Sequence, residues 1–304
     1  MTPEVTLTMA AWCANPPWLL DAVRSALADD GCSLELVVVD DGSPEPVAHV
    51  LADIDDSRLR VVRIEHGGTA AARNAGVAHA RGRLIRFLDA DDVVAPGSTA
   101  RLARIVGGTD DVIAYGATAV CDAELRPQRM IESTFEGDLV ERCLLGHFDV
   151  RHVSMLFPRR VVERAGPWVG GFHASEDWDF VLRALEHASV LRDPAVATLY
   201  RRHERSRTRA ANVAAGEIDR RRVVERYFER HPELRASPLA RSARAATELA
   251  TAAGYASAGE RRLAAARLAR AARIAPVQST ALAARLLVRG LRGRLTGRSP
   301  GAAA

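Results

Sequence analysis

Through the first two thirds of the chain, apolar residues come in short runs separated by acidic and glycine-rich breaks. Val5–Ala11, Leu34–Val39 and Leu84–Leu88 are nearly continuous apolar runs, the pattern of strands covered on both faces. Arg58–Ile64 alternates arginine with aliphatic side chains and reads as a further strand. Between them, Leu19, Leu20, Val23 and Leu27 recur at helical spacing behind Pro17, and Ala70–Ala80 reads as a second helix. Strand and helix alternating at this spacing predict an α/β fold with a Rossmann-like, mostly parallel sheet sandwiched by helices.

After Asp92 the pattern loosens. It predicts helices around Ser98–Val106, Leu139–Leu145 and Arg160–Ala165, strands at Val112–Val120 and Val153–Phe157, a helix from Ser175 to about His187, and a strand region Val190–Tyr200. Beyond about Ala211, alanine and arginine with leucine at helical spacing predict helices at Asp219–Arg230, Leu239–Ala253 and Glu260–Ile274. Two parts are therefore expected: an α/β domain over 1–210 and a helical extension over 211–304 that ends in a disordered basic tail.

Composition narrows the chemistry. All 42 basic residues are arginine, which excludes a P-loop lysine and Schiff-base catalysis. Cys13, Cys32, Cys121 and Cys143 are scattered, as expected for reduced thiols in the cytoplasm, and form neither a zinc site nor a disulfide framework. No apolar run reaches the ~18 residues of a membrane span, and the N-terminus lacks a secretory pattern. Nucleic acid is not an expected partner.

The densest chemistry follows the run Leu84–Leu88. Asp89, Asp91 and Asp92 repel one another unless a cation or hydrogen-bonding ligand sits among them. Ligand crevices of open α/β sheets lie at this end of the strands. A hard divalent ion takes oxygen ligands there and keeps positions open for phosphates. Asp40 and Asp41 end another strand, where a carboxylate accepts from a nucleobase N–H or closes an Asx-turn. Gly67–Gly76 places Arg73 in the first turns of a helix, a setting suited to a diphosphate, with Asn74 and Gly76 expected to serve packing. Glu176 and Asp177 precede a helix and offer a general base. Trp168 and Trp178 suit either a sugar-stacking floor or the core, and His147 and His152 show no ligand-like spacing.

VVVDDGS (Val37–Ser43), GGTAAARNAG (Gly67–Gly76), FLDADD (Phe87–Asp92) and EDWDF (Glu176–Phe180), in that order and spacing, resemble the inverting family 2 glycosyltransferases of the GT-A fold, over roughly residues 5–205. The resemblance implies that Asp41 contacts the base, with the turn left to Asp40, and that Arg73 lines the donor pocket. It also implies that Asp89 faces the ribose and that Asp91 holds a divalent metal, Mn or Mg, bridging the donor's phosphates. Asp92 is left a supporting or capping role. The family's base falls in the Glu176–Asp177 pair, with Asp177 favoured, and His203 of Tyr-Arg-Arg-His approaches the metal or diphosphate. A single base without a covalent intermediate implies inversion. Where members commonly carry Pro-Thr-Tyr-Asn, this chain has Ala10-Ala11-Trp12-Cys13, and Trp12 keeps an aromatic for the base.

The expectation is thus a metal-dependent inverting glycosyltransferase of polysaccharide biosynthesis. It uses a nucleotide-diphosphate sugar donor and the hydroxyl of a glycan, glycolipid or natural-product acceptor. A sugar nucleotidyltransferase is disfavoured because Trp12–Trp18 contains no glycine. A non-catalytic sugar-nucleotide-binding or partner-binding domain is kept open by the missing threonine and asparagine and opposed by the intact acidic pairs. The C-terminal arginines suit three roles: peripheral contact with anionic lipid at the inner membrane face beside a lipid-linked acceptor, a solvated face, or a homodimer contact.

Overall fold

The computed structural model describes residues 2–29, 31–148, 150–204 and 213–276. The chain divides into two compact units, one of Met1–Cys143 with His147–Ala210, the other of Leu144–Gly146 with Ala211–Ala304.

In the larger unit the apolar runs are strands: β1 (Val5–Ala11), β2 (Leu34–Asp41), β3 (Leu59–Ile64) and β4 (Leu84–Asp89). The helices between them are α1 (Pro16–Leu27), the short α2 (Val47–Val50) and α3 (Thr69–His79). Asn15 starts α1 by accepting from the Trp18 N–H at 3.3 Å, with prolines filling the first helical positions, where no N–H is needed. Beyond β4 come β5 (Val93–Val94), α4 (Ser98–Val106), β6 (Val112–Cys121), β7 (Pro127–Ile131) and α5 (Val140–Leu144). A 3₁₀ turn (His152–Ser154), β8 (Met155–Pro158), α6 (Arg159–Ala165), α7 (Glu176–Leu185) and β9 (Ser189–Arg201) complete the unit. Strands β5 and β7, too short or too polar to show in the apolar pattern, are additions to the expected order.

The described strands form one nine-stranded sheet in the order β3-β2-β1-β4-β8-β6-β9-β5, with β7 also paired to β6. Pairing is parallel from β3 to β4 and between β6 and β9, while β8 is antiparallel to both of its neighbours. Alternation along β2 explains why both faces are apolar. Leu34, Leu36 and Val38 join α1 in one core cluster, while Val37 and Val39 meet Ala72 of α3 on the other side. Helix α3 lies close on β1: a Cβ at Gly76 would stand 1.7 Å from Thr8 Oγ1, so that position admits no side chain.

Alternation along β4 sets up the site. Leu84 and Leu88 enter the larger cluster, and Arg86 lies between them. Phe87 points to the opposite face, into an aromatic group where Trp168 stacks on Phe180 at 4.1 Å and meets Phe87 edge-on. Asp89 follows Phe87 on that face, above α3.

Arg86 is fully buried, and no ion-pair partner within 4.0 Å is found for it among the described residues. Its donors reach Ser98 Oγ (2.9 Å) and Thr99 Oγ1 (2.8 Å) of α4, and the Ala197 carbonyl (2.6 Å) and Thr198 Oγ1 (3.0 Å) of β9. One guanidinium thus staples three elements that a hydrocarbon could not join.

The smaller unit contains α8 (Val213–Arg230), α9 (Pro238–Ser257) and α10 (Arg261–Ile274), each longer or shorter than its expected range by a few residues. Glu217 and Glu248, both buried, take Arg221, Arg267 and Arg270 at 2.7–3.5 Å. These three arginines therefore serve the bundle's own acids. Among the described residues no helix is long and apolar enough to cross a membrane. The expected basic tail lies outside the described residues.

Arg86→Met leaves several buried acceptors without donors and is expected to cost about 3 kcal/mol in urea denaturation. Arg83→Met, which breaks only an exposed pair with Glu4, should cost under about 1 kcal/mol. Equal losses would show that the Arg86 staple is not the special one.

Candidate active site

Parallel register carries the ends of β1 and β4 to one place, since Ala10 lies opposite Asp89. A cavity of about 510 Å³ opens there, lined by Trp12, Asn15, Trp18, Arg73, Asp89, Asp91, Arg151, His152, Glu176, Asp177, Tyr200 and His203 among others. Of the eight site residues expected from sequence, seven line it: Trp12, Arg73, Asp89, Asp91, Glu176, Asp177 and His203.

Each aspartate after β4 has its own cationic or N–H partner. Asp89 Oδ1 accepts from Arg73 Nη2 at 2.8 Å. Arg73 is 3% exposed and lies 4.4 Å over the Trp168 ring, so it is a built part of the wall and not a solvated helical arginine. Burial pushes the Asp89 carboxyl up, but Arg73 and His152 together outweigh it and hold Asp89 well below the usual carboxylate range. Asp91 Oδ2 lies 2.8 Å from His203 Nε2, and His203 in turn packs at 4.4 Å against Trp18. Asp91 is pushed up by burial first and then by Asp89, in spite of His203. Asp92 is fully buried, accepts from the Arg201 N–H at 2.9 Å, and is raised well above its ordinary value by burial and its two neighbours. It therefore supports the turn from within and does not cap α4, which begins after Gly97.

The second acidic pair differs from expectation in one respect. Asp40 does close the turn, accepting from the N–H groups of Ser43 (2.9 Å) and Val47 (3.1 Å) and from Arg63 (2.6 Å). Asp41, however, is not free. It is 2% exposed, and its two oxygens accept from the Gly67 and Gly68 N–H groups at 2.8 and 2.9 Å. Gly68, at φ +83°, turns the chain so that both donors point at one carboxylate. Asp41 thus anchors the loop that starts α3 and is absent from the cavity lining. Trp12 remains 54% exposed and stacks on His66 at 4.9 Å, a flat platform at the cavity mouth.

Glu176 and Asp177 belong to the first turn of α7 and do not precede it. Glu176 is 5% exposed, with Oε1 3.6 Å from Arg73 Nη1. Asp177 is more open: Oδ1 accepts from the Trp178 N–H at 2.8 Å, and Oδ2 lies 3.7 Å from His152 Nδ1. Trp168, 3% exposed, belongs to the core, and Trp178 donates to the Cys143 carbonyl, so neither tryptophan lines the cavity. Asn74 exchanges hydrogen bonds with the Trp168 backbone (2.8 and 3.0 Å), which fits the packing role expected of it.

Sequence reasoning passed over His152 and Arg151, both of which line the cavity. The reason is strand direction. Because β8 runs antiparallel to β4 with Leu84 opposite Pro158, residues just before β8 fall beside those just after β4. An apolar run carries no sign of its direction.

For a divalent cation the chain offers two converging donors, Asp91 Oδ2 and His203 Nε2. Among the described residues no group of three or more His, Cys, Asp and Glu converges in that way. A carboxylate raised by burial and then by a neighbouring aspartate, beside an imidazole and an open cavity, fits an ion that takes its remaining ligands from phosphate and water.

Comparison with known proteins bears on the family and the fold. The family model described as glycosyl transferase family 2 matches residues 10–165. The succinoglycan biosynthesis protein ExoO of Rhizobium meliloti is 32% identical over 175 residues, 53% of this chain and 49% of that one. The putative glycosyltransferase EpsH of Bacillus subtilis is 29% identical over 195 residues, 60% of this chain and 56% of that one. The chain spans about half the length of these curated relatives. Among solved structures, residues 1–349 of S. aureus TarS in complex with UDP-GlcNAc match at TM-score 0.59 and 14% identity, covering 88% of this chain and 91% of that one. The mannosyltransferase PcManGT of Pyrobaculum calidifontis, in complex with GDP-Man and Mn²⁺, matches at TM-score 0.59 and 19% identity, covering 96% and 81%. At these identities the likeness is one of fold, the GT-A arrangement expected from the motifs.

The Asp40 turn makes a pH-dependent contribution. Burial raises Asp40, but hydrogen bonds from Ser43, Val47 and Arg63 outweigh it and hold the carboxyl below its ordinary value. A carboxyl depressed in the folded state stabilises the protein above its unfolded pKa of about 3.9 and loses that contribution as pH falls. Asp40→Asn should therefore cost about 1 kcal/mol in urea denaturation at neutral pH, a difference that shrinks below about pH 4. A constant difference across that range would mean the charge of Asp40 is immaterial.

Proposed function

We propose that this chain, which belongs to glycosyl transferase family 2, moves a sugar from a nucleotide-diphosphate donor to an acceptor hydroxyl, with a divalent metal and with inversion at the anomeric carbon. The observation that carries the reading is one cavity of about 510 Å³ lined both by Asp91 with His203 and by Asp177 with Glu176. The name of ExoO supports a growing polysaccharide, free or lipid-linked, as acceptor. The ligands named for the two solved neighbours support a nucleotide sugar as donor and, in one case, Mn²⁺.

Asp91 and His203 would hold the metal. When bound, it neutralises charge developing on the departing nucleoside diphosphate. The chain's own residues do the rest. Trp12 on His66 offers an aromatic face to the base. Arg73 keeps Asp89 ionised, so that its remaining lone pairs can accept from a ribose hydroxyl. Asp177 takes the proton of the acceptor hydroxyl through Oδ2, since Oδ1 already accepts from the Trp178 N–H. Glu176 lies deeper, against Arg73, and shapes the charge of the site. A hydroxyl activated at Asp177 attacks from the side opposite the leaving diphosphate, and the anomeric carbon inverts.

A thermal-shift panel of UDP, dTDP, GDP and CDP, each with and without Mn²⁺, tests the donor site. One nucleotide is expected to raise the melting temperature by several degrees, about 2–4 °C per kcal/mol of binding linkage, only with metal present. Asp91→Asn should abolish the metal-dependent shift, and no shift in the parent protein would defeat the donor assignment. Asp177→Asn should keep the shift and lose about 10²-fold or more in transfer. Undiminished transfer by that variant would remove Asp177 as the base.

A further inference from the structure

A buried imidazole stands between Asp89 and Asp177. His152 is 5% exposed, with Nδ1 3.7 Å from Asp177 Oδ2 and Nε2 3.8 Å from Asp89 Oδ1. Neither ring nitrogen has a hydrogen-bond partner among the described residues, a costly state for a buried polar ring. Each gap exceeds a hydrogen bond by less than about 1 Å, a distance one small side-chain adjustment closes. The Trp168 ring meets the imidazole at 5.4 Å and an interplanar angle of 69°, which restrains its plane.

We propose that His152 is a positioning residue: it closes on Asp177 through Nδ1 as the site fills, holding the base ionised and aiming Oδ2 at the acceptor hydroxyl. Through Nε2 the same ring meets Asp89, so the donor wall and the acceptor wall share one rigid link. The inference rests on the reading of Asp177 as base and goes beyond it by naming the group that keeps the base competent.

Electrostatics explain why a base here needs such a group. Burial pushes the Asp177 carboxyl up, toward the neutral form that cannot accept a proton; His152 is the largest influence opposing this, ahead of the charges of Arg151 and Arg73, and the net result is a lowered value. The charged groups around the imidazole are Asp89 from β4, Glu176 and Asp177 from α7, Arg73 from α3 and Arg151 from its own turn. A carboxylate oxygen has two lone pairs, so Asp177 Oδ2 can accept from His152 and from the substrate hydroxyl together.

Replacement chemistry separates positioning from filling space. The amide of asparagine places an N–H near the position of Nδ1, and that of glutamine near Nε2. Kinetics would be followed over about pH 5–9 with the nucleotide sugar whose diphosphate stabilises the protein. His152→Phe is expected to lower kcat at least tenfold, to leave donor KM within about twofold, and to move the acid limb of the profile up by about one pH unit. His152→Asn should return the acid limb toward its original place, and His152→Gln should not. An unmoved acid limb in His152→Phe, or equal rescue by both amides, would overturn the proposal. An Asp177→Asn enzyme with full transfer would instead sink the base assignment, an outcome these kinetics tell apart because failure of the positioning role alone leaves Asp177 essential.

One readout needs no turnover and is taken with the stabilising nucleoside diphosphate and Mg²⁺ bound, the filled state in which the ring closes. In the full chain labelled with ¹⁵N-histidine, the His152 signals are those lost in His152→Asn. Asp177→Asn should move the His152 Nδ1 resonance more than that of any other histidine. If that resonance stayed in place, no Asp177–His152 pair would exist and the proposal would fail.

Discussion

Mutual repulsion of three carboxylates at the end of β4 is the constraint around which this unit is arranged. Asp89, Asp91 and Asp92 sit within four residues, the last fully withdrawn from water, where like charges interact strongly. A different element relieves each one: α3 supplies Arg73, the segment after β9 supplies His203, and β9 supplies the Arg201 N–H. Arg201 also donates to the Asp91 carbonyl and to Asp21 of α1, so β9 is bound to the turn along its whole last residue. The relief is incomplete at Asp91, whose carboxyl is kept raised by burial and by Asp89.

Guanidinium groups do the internal joining in a chain without lysine. Arg86 staples α4 and β9 to β4, and Arg73 spans Asp89 and the Trp168 ring. Arg183, buried with Asp179, donates to the Ala165 and Gly166 carbonyls and so ties α7 to the end of α6. A planar fork with five donors can satisfy several acceptors from one buried position, which a point-charge ammonium cannot. The start of α7, and with it Asp177, is held in place by this arginine and by the stacking of Trp168 on Phe180.

Loop anchoring follows the same economy on the other side of the cavity. Asp40 and Asp41 stand next to each other, yet each closes a different loop: Asp40 the turn through Ser43, Asp41 the glycine loop that starts α3. The glycine loop therefore depends on a carboxylate twenty-six residues earlier in the chain. That dependence is why Arg73 emerges where Asp89 can meet it.

Much of this was decided by local sequence. Unbroken apolar runs ending in acids specify covered strands with polar carboxyl ends, and parallel order follows from the helices between them. Trp12, Arg73, Asp89, Asp91, Glu176, Asp177 and His203 were legible because each lies at the end of a strand or the start of a helix, where such folds place their ligands. What sequence could not determine is direction and distance between segments remote along the chain. That β8 runs against β4, bringing His152 between Asp89 and Asp177, depends on hydrogen bonding across the sheet. That Asp41 is occupied by backbone N–H groups depends on where the loop after β3 folds back. Trp168 and Arg86 are buried for the same reason: periodicity assigns a residue to a face, but only the assembled layers determine what covers that face and which donors or rings it meets there.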